Sequence, residues 1–192
     1  KFLFAKNLDV ESIGLFFSVY AFVTFFIFLR DFGLSEALVY FIPKFLAKNK
    51  KKELKSSIVF TLYVQLTMGI SFLLIMILLS DYLTTYYFKD PRAKLLIVFM
   101  SIYVVIDAIN EILFRVFHGF QNMFYNQLIE FSFQFFSVLI FVLFFYLNIK
   151  LEYLAFSYVI SGIITAFIFS IIFYKIFLPD FFLIKTKISK LL

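Results

Sequence analysis

The chain has 192 residues, 64% of them hydrophobic and 23% aromatic, with a formal net charge of +6. A soluble domain is about half apolar by a similar count, so a mean hydropathy of +1.00 excludes that class and identifies an integral membrane protein. The lack of cysteine excludes disulfides and thiolate metal sites, and a single His118 excludes a histidine-rich metal centre, so neither metal nor cofactor is expected.

In chain order, "KFLFA" at residues 1–5 reads as the tail of an earlier helix, and residues 1–12 as that tail plus an external loop, so a piece of a longer protein is expected. Five apolar spans follow, at about 13–29, 57–80, 95–114, 128–147 and 154–178. Each approaches the roughly 20 residues with which a helix crosses about 30 Å of hydrocarbon. Continuous runs without two-residue alternation argue against a barrel, so the expected fold is an all-α, polytopic membrane bundle. Residues 30–56 are broken by Gly33 and Pro43 and carry "AKNKKKELK" at 47–55; they read as a cytoplasmic interfacial segment touching anionic lipid heads. Residues 179–192, after Pro179, read as a cytoplasmic linker towards a second bundle.

Lysine and arginine set the orientation. Segments 30–56, 115–127 and 175–192 hold 12 of them, whereas 1–12, 81–94 and 148–153 hold 6. The positive-inside rule places the first set in the cytoplasm and the start of the chain outside. The basic excess is thus spent on topology, and nucleic acid is not an expected partner.

The third span ends in "VVIDAINEILFR", residues 104–115. At 100° per residue Asp107, Asn110, Glu111 and Arg115 fall within an arc of about 140°, and Tyr103 joins them. A charged residue at the centre of a membrane helix costs about 2.5–3.5 kcal/mol on insertion scales, so this face must turn away from lipid. On the fourth span Asn126, Glu130, Gln134 and Ser137 share an arc of about 80°. Ser157, Ser161 and Thr165 recur at every fourth position on the fifth span, and Thr61 and Gln65 on the second. Coinciding stripes point to a shared polar interior. Taken singly, each has a plainer reading: a neutralising Glu111–Arg115 pair, close-packing small residues at 157–165, and interhelical bonds at Glu130 and Gln134. Asp107 and Glu111 lack an acid–base partner with a substrate frame, and no P-loop occurs, so a transporter is expected and not an enzyme.

Residues 30–56, "RDFGLSEALVYFIPKFLAKNKKKELKS", resemble a segment typical of polysaccharide-biosynthesis flippases of the Wzx/RfbX type, with Asp31, Gly33, Leu34, Ala37, Leu38, Ile42 and Pro43 in the motif positions. "AKNLDVESIGLFF" at 5–17 is similar to the family's loop between helices one and two. "HGFQNMFYNQLIE" at 118–130 is similar to its turn between helices four and five, with Gly119 and Gln121 in place but Asn122 and Met123 where a basic residue is common. The resemblance implies one half of a two-bundle, alternating-access exporter of the multidrug/oligosaccharidyl-lipid/polysaccharide superfamily in the cytoplasmic membrane. It implies a lipid-linked oligosaccharide as substrate, membrane lipids as surroundings, and glycan polymerases or glycosyltransferases as partners.

The expected substrate path comprises Arg115, Glu111, Asp107, Asn110, Glu130, Gln134 and Gln65, with Arg115 first to meet phosphate because guanidinium is a rigid multi-donor fork. Asp31, Gly33, Leu34, Pro43, Gly119 and Gln121 are the structural motif residues. The alternatives are a cation-coupled multidrug-type antiporter of the same superfamily, for which buried acids would be coupling groups, and a non-transporting membrane scaffold with sealed stripes.

Overall fold

Turn residues and charges cut the apolar chain into six helices in the computed structural model, which describes residues 9–146 and 152–177. The residues expected to form an earlier helix tail (1–5), the start of the loop after it and the linker (179–192) lie outside the described residues. Helix α1, Val10–Asp31, stops where Phe32 and Gly33 both turn left-handed, at φ 45° and 76°. A side chain at Gly33 would be strained there. Helix α2, Leu34–Ala47, contains Pro43, which cannot donate to the carbonyl four residues back, so the helix persists through its packing. Helix α3, Lys51–Tyr82, runs on through a π-helical turn, Leu83–Phe88, to left-handed Lys89. Helix α4 is Ala93–Gly119, α5 is Met123–Tyr146, and α6 is Glu152–Ile172, followed by a second π-helical turn, Phe173–Phe177.

No strand occurs among the described residues, and five stretches are long and apolar enough to cross a membrane: Val10–Phe28, Lys51–Phe88, Ala93–Gly119, Met123–Phe144 and Glu152–Lys175. The chain is an all-α, multi-pass membrane protein. Large apolar side chains such as Phe28, Leu78 and Phe167 stand exposed on its outer faces, a surface suited to lipid and not to water.

Two boundaries differ from the sequence reading. The lysine run continues into α3, whose first turn is Lys51–Glu53; lysine is a good helix former, and an apolar run cannot mark a helix that extends past the membrane. Segment 34–47 does more than lie at the interface: Ser35, Leu38 and Ile42 turn inward at helical spacing, and α2 packs against α3 and α4.

Helix α4 is the axis of the bundle, packed against α1, α2, α3, α5 and α6. Its first half (Leu96, Ile97, Met100, Val104) joins one apolar cluster with Val19 and Val23 of α1, Met76 of α3 and Leu154 of α6. Its last turns (Ile112, Val116, Phe117) join a second cluster with Leu38 and Ile42 of α2, Leu54 of α3, Ile129 of α5 and Phe169 of α6. Between the clusters lies a polar waist. Ser161, Gly162 and Thr165 of α6 stand at this level; Ser161 bonds its own helix at Ser157 O (2.8 Å), and a Cβ on Gly162 would meet Ile106 at 3.0 Å. That is small-residue packing, which lets α6 approach α4.

The waist is held by Arg30. Its side chain, 3% exposed, reaches from the last turn of α1 to α4, where Nη2 meets Asp107 Oδ2 at 3.2 Å and Nη1 donates to the Val104 carbonyl. At the next residue, Asp31 Oδ1 accepts from the Ser35 amide (3.1 Å) and from Gln65 Nε2, which also donates to Ser35 Oγ. The α1–α2 elbow is thereby bound to α3. At the far end of α4 a Cβ on Gly119 would stand 2.9 Å from Ile42 Cβ, so α2 and α4 touch there through a missing side chain. The chain then reverses through left-handed Gln121, with the Asn122 amide bonding the Phe117 carbonyl (3.0 Å) as in a Schellman cap. At the opposite end Arg92 bonds Ser12 Oγ at 2.8 Å and Asp90 Oδ2 at 2.7 Å, joining the starts of α1 and α4.

Removing one partner of a buried ion pair strands the other, at about 3–5 kcal/mol. Arg30→Gln and Asp107→Asn should each cost in that range, and the double variant far less than their sum, read from thermal unfolding in detergent; additivity would contradict the pairing. Gly119→Ala should cost about 1–3 kcal/mol by overpacking, in the same measurement. The Arg92 side chain beside Asp90 holds its carboxyl below the ordinary 3.8. A depressed acid stabilises the fold above its unfolded value and loses that contribution as pH falls through the folded one. The stability gap between wild type and Asp90→Asn should be full above about pH 4 and close on further acidification.

Candidate functional site

On the side of α4 facing α5 the packing opens into a cleft of about 230 Å³, lined by Tyr103, Asp107, Asn110, Glu111, Phe114, Arg115, Ile129, Glu130 and Phe133. The α4 positions 103, 107, 110, 111, 114 and 115 recur with the three-and-four spacing of a helical stripe two residues wide, which puts them on one face of the helix. Their helix must turn that face somewhere other than lipid, and α5 supplies the facing wall. Asn126, 2% exposed, binds the Phe114 carbonyl through Nδ2 at 2.9 Å and ties α5 to α4 near one end of the cleft.

Asp107 sits at the deep end. It pairs with Arg30 and accepts a bond from the Tyr103 hydroxyl at 3.3 Å. The Tyr103 ring is itself fixed, stacked on Phe133 at 5.6 Å and edge-on to Tyr158 at 5.7 Å. Asn110 donates through Nδ2 to the Gly162 carbonyl of α6 (3.1 Å), while its buried Oδ1 has no partner among the described residues. Arg115 stands at the shallow end between two carboxylates: Nε to Glu111 Oε1 at 2.7 Å, and Nη1 to Glu36 Oε1 of α2 at 2.6 Å. Glu130, on the α5 wall, is exposed to the cleft and has no ion pair among the described residues.

Of the expected path residues, Asp107, Asn110, Glu111, Arg115 and Glu130 are gathered in this one cleft. Gln134 lies one turn beyond Glu130 on α5, exposed and outside the lining set. Gln65 is elsewhere: fully buried in the node with Asp31 and Ser35, it serves the elbow. Among the motif residues Asp31, Gly33, Gly119 and Gln121 shape that elbow and the α4–α5 turn, Leu34 opens α2, and Pro43 sits within it.

Two residues of the site lie off the polar stripes that helical periodicity marks: Arg30 and Glu36, both in the segment expected at the interface, each meet a cleft residue across helices. An unbalanced acid on the α4 stripe was the available signal, since a buried carboxylate calls for a cation.

The cleft bears three carboxylates against one guanidinium, and adding Arg30 and Glu36, one of each sign, leaves the excess of negative charge unchanged. Among the described residues no group of three or more His, Cys, Asp or Glu side chains is arranged to hold a metal ion. The site therefore offers hydrogen-bond acceptors, a few donors and aromatic faces at membrane depth. Such a surface can receive a polar, uncharged or cationic group.

A family model described as "Polysaccharide biosynthesis protein" matches residues 2–192. An uncharacterized membrane protein of Methanocaldococcus jannaschii is 28% identical over 93% of this chain, which spans only 38% of that relative's length. No solved structure matches the chain. With a match that runs through every helix and both sides of the cleft, the chain belongs to the polysaccharide biosynthesis protein family.

Proposed function

We propose that this chain forms one bundle of a flippase that carries a lipid-linked oligosaccharide from the inner to the outer leaflet of the cytoplasmic membrane, and that the α4–α5 cleft lines the path of the polar head. The observation that carries the reading is the cleft itself: ionisable side chains on two helices long and apolar enough to cross a membrane, held by packing, with the Glu130 carboxylate free of ion pairs among the described residues. A sealed structural seam would pair its charges, because each unpaired one is costly at that depth. Family membership supports a role in polysaccharide export, and the transferred glycan offers the hydroxyls that such acceptors bind.

The lipid tail stays in the bilayer while the head moves through the cleft. By the distribution of basic residues, the end bearing α2 and the lysine run faces the cytoplasm and the start of α1 faces outward. Arg115 lies at that cytoplasmic end. With Glu36 and Glu111 both on it, its charge is matched in this conformation, so phosphate would reach it by displacing one of them. The Glu36 contact links α2 to the cleft mouth and gives alternating access a joint that can break. Asp107, Asn110 and Glu130 are assigned to sugar hydroxyls.

The reading is tested by reconstituting the full-length protein and measuring leaflet transfer of a fluorescent lipid-linked oligosaccharide. Wild type should transfer it, and Arg115→Ala should slow transfer by about tenfold or more, as expected for loss of one charge-assisted contact. Normal rates in the variant would make the cleft mouth structural. No transfer, with proton- or sodium-dependent export of small cations instead, would favour the antiporter suggested by the acid excess.

A further inference from the structure

We infer that the α4–α5 cleft selects a sugar bearing a protonated amine, with Glu130 as the group that reads the ammonium; this rests on the oligosaccharide reading above and narrows its substrate class.

The charges come first. Asp107 is engaged by Arg30 and Tyr103, and Glu111 gives one oxygen to Arg115. Arg115 is taken up by Glu111 and Glu36. Glu130 alone of the cleft's ionised groups has no partner among the described residues, and it is a carboxylate. An anion beside Glu130 would meet this charge with no free cation to offset it, so the pyrophosphate of a lipid-linked sugar is disfavoured there and is left to the Arg115 end of the cleft. A cation would be drawn in.

A second observation, independent of the acids, points to a donor-bearing guest. Asn110 is only 8% exposed, lines the cleft from the α4 side, and leaves its Oδ1 without a hydrogen-bond partner among the described residues. A buried acceptor left unmade costs about 1–3 kcal/mol, and an O–H or N–H brought by the guest would satisfy it once the Asn110 side chain turns its sealed Oδ1 towards the cleft. The guest thus needs a positive donor for Glu130 and a further donor for Asn110.

Size and shape separate an amino sugar from a bare ion. An inorganic cation is held by several oxygens converging at about 2.0–2.6 Å, and no such group of carboxylates exists among the described residues. At about 230 Å³ the cleft exceeds by more than tenfold the space of about 10–15 Å³ that a single water needs, so one bare ion leaves it largely empty and a sugar ring has room. The stacked Tyr103–Phe133 pair and Phe114 supply apolar faces beside the acceptors, on which the C–H face of a sugar, or the ammonium itself, can rest.

The test uses full-length protein in proteoliposomes and two lipid-linked disaccharides, identical except that one carries a free amine and the other its acetamide, at a pH that keeps the amine protonated. In parallel, glucosamine and N-acetylglucosamine are titrated onto the detergent-solubilised protein, with and without sodium at constant ionic strength. The expected result is transfer and binding of the amine form favoured by about tenfold, the scale of one charged hydrogen bond. Glu130→Gln should bring the amine form down to the rate and affinity of the acetamide form, and Glu130→Asp should retain the preference, which a merely structural role would not produce. Equal transfer and equal binding of the two forms overturns the inference and leaves the flippase standing. Sodium displacing glucosamine competitively also overturns it, assigning Glu130 to an inorganic ion. If neither lipid-linked probe moves, the flippase reading fails, and the glucosamine titration with Glu130→Gln still decides the cleft's ligand.

Discussion

An arginine at membrane depth has to be met from within the protein, and the Arg30–Asp107 contact is the interaction on which the rest of this bundle depends. Hydrocarbon offers neither water nor counter-ions, so the guanidinium orients itself on the one carboxylate and one carbonyl that α4 presents. That choice fixes the rotation of α4 relative to α1. Once Asp107 faces Arg30 from one edge of its stripe, Asn110, Glu111 and Arg115 are carried round to face α5 and α6. The waist between the two apolar clusters is therefore a consequence of charge, and the clusters above and below it lock the arrangement by packing.

The same constraint explains why the cleft has unused capacity. Arg30, Gln65, Asp31, Ser35 and Asn126 join helices, although Arg30 Nε and Gln65 Oε1 keep no partner among the described residues. Arg115 is balanced by Glu111 and Glu36, the latter brought in by α2. Glu130 and the Oδ1 of Asn110 receive nothing from the described residues. The presence of Glu130 and Asn110 on a cleft of a membrane-spanning bundle is the ground on which the proposed transport role rests.

Much of this was legible from residue order. Five apolar spans separate cleanly because length and hydropathy suffice to mark a membrane helix. The stripe from Tyr103 to Arg115 showed itself through helical periodicity, and Glu130 through a matching stripe on the next span. What residue order could not supply was long-range pairing. Arg30 and Asp107 are far apart in sequence, and either could have met any of several opposite charges. Gln65 has the same polarity as a path residue, and only the elbow built by Phe32 and Gly33 shows that it serves Asp31. The inward stripe of α2 was obscured because its outer face is apolar too, with Tyr40, Phe41 and Leu46 exposed. The π-helical ending of α3 follows from no apolar pattern at all; exposed Tyr82, Tyr86 and Tyr87 extend the helix past its apolar run, as ring-bearing residues do at a membrane surface.

The central claim is that the α4–α5 cleft admits water within the membrane. Because this chain has no cysteine, single cysteines can be introduced one at a time at Glu111, Glu130 and, as a lipid-facing reference, Leu78. Each variant of the reconstituted protein would be exposed to a membrane-impermeant maleimide. The account predicts labelling at Glu111 and Glu130 and none at Leu78. Protection at all three positions would contradict it and make the stripe a sealed contact between helices.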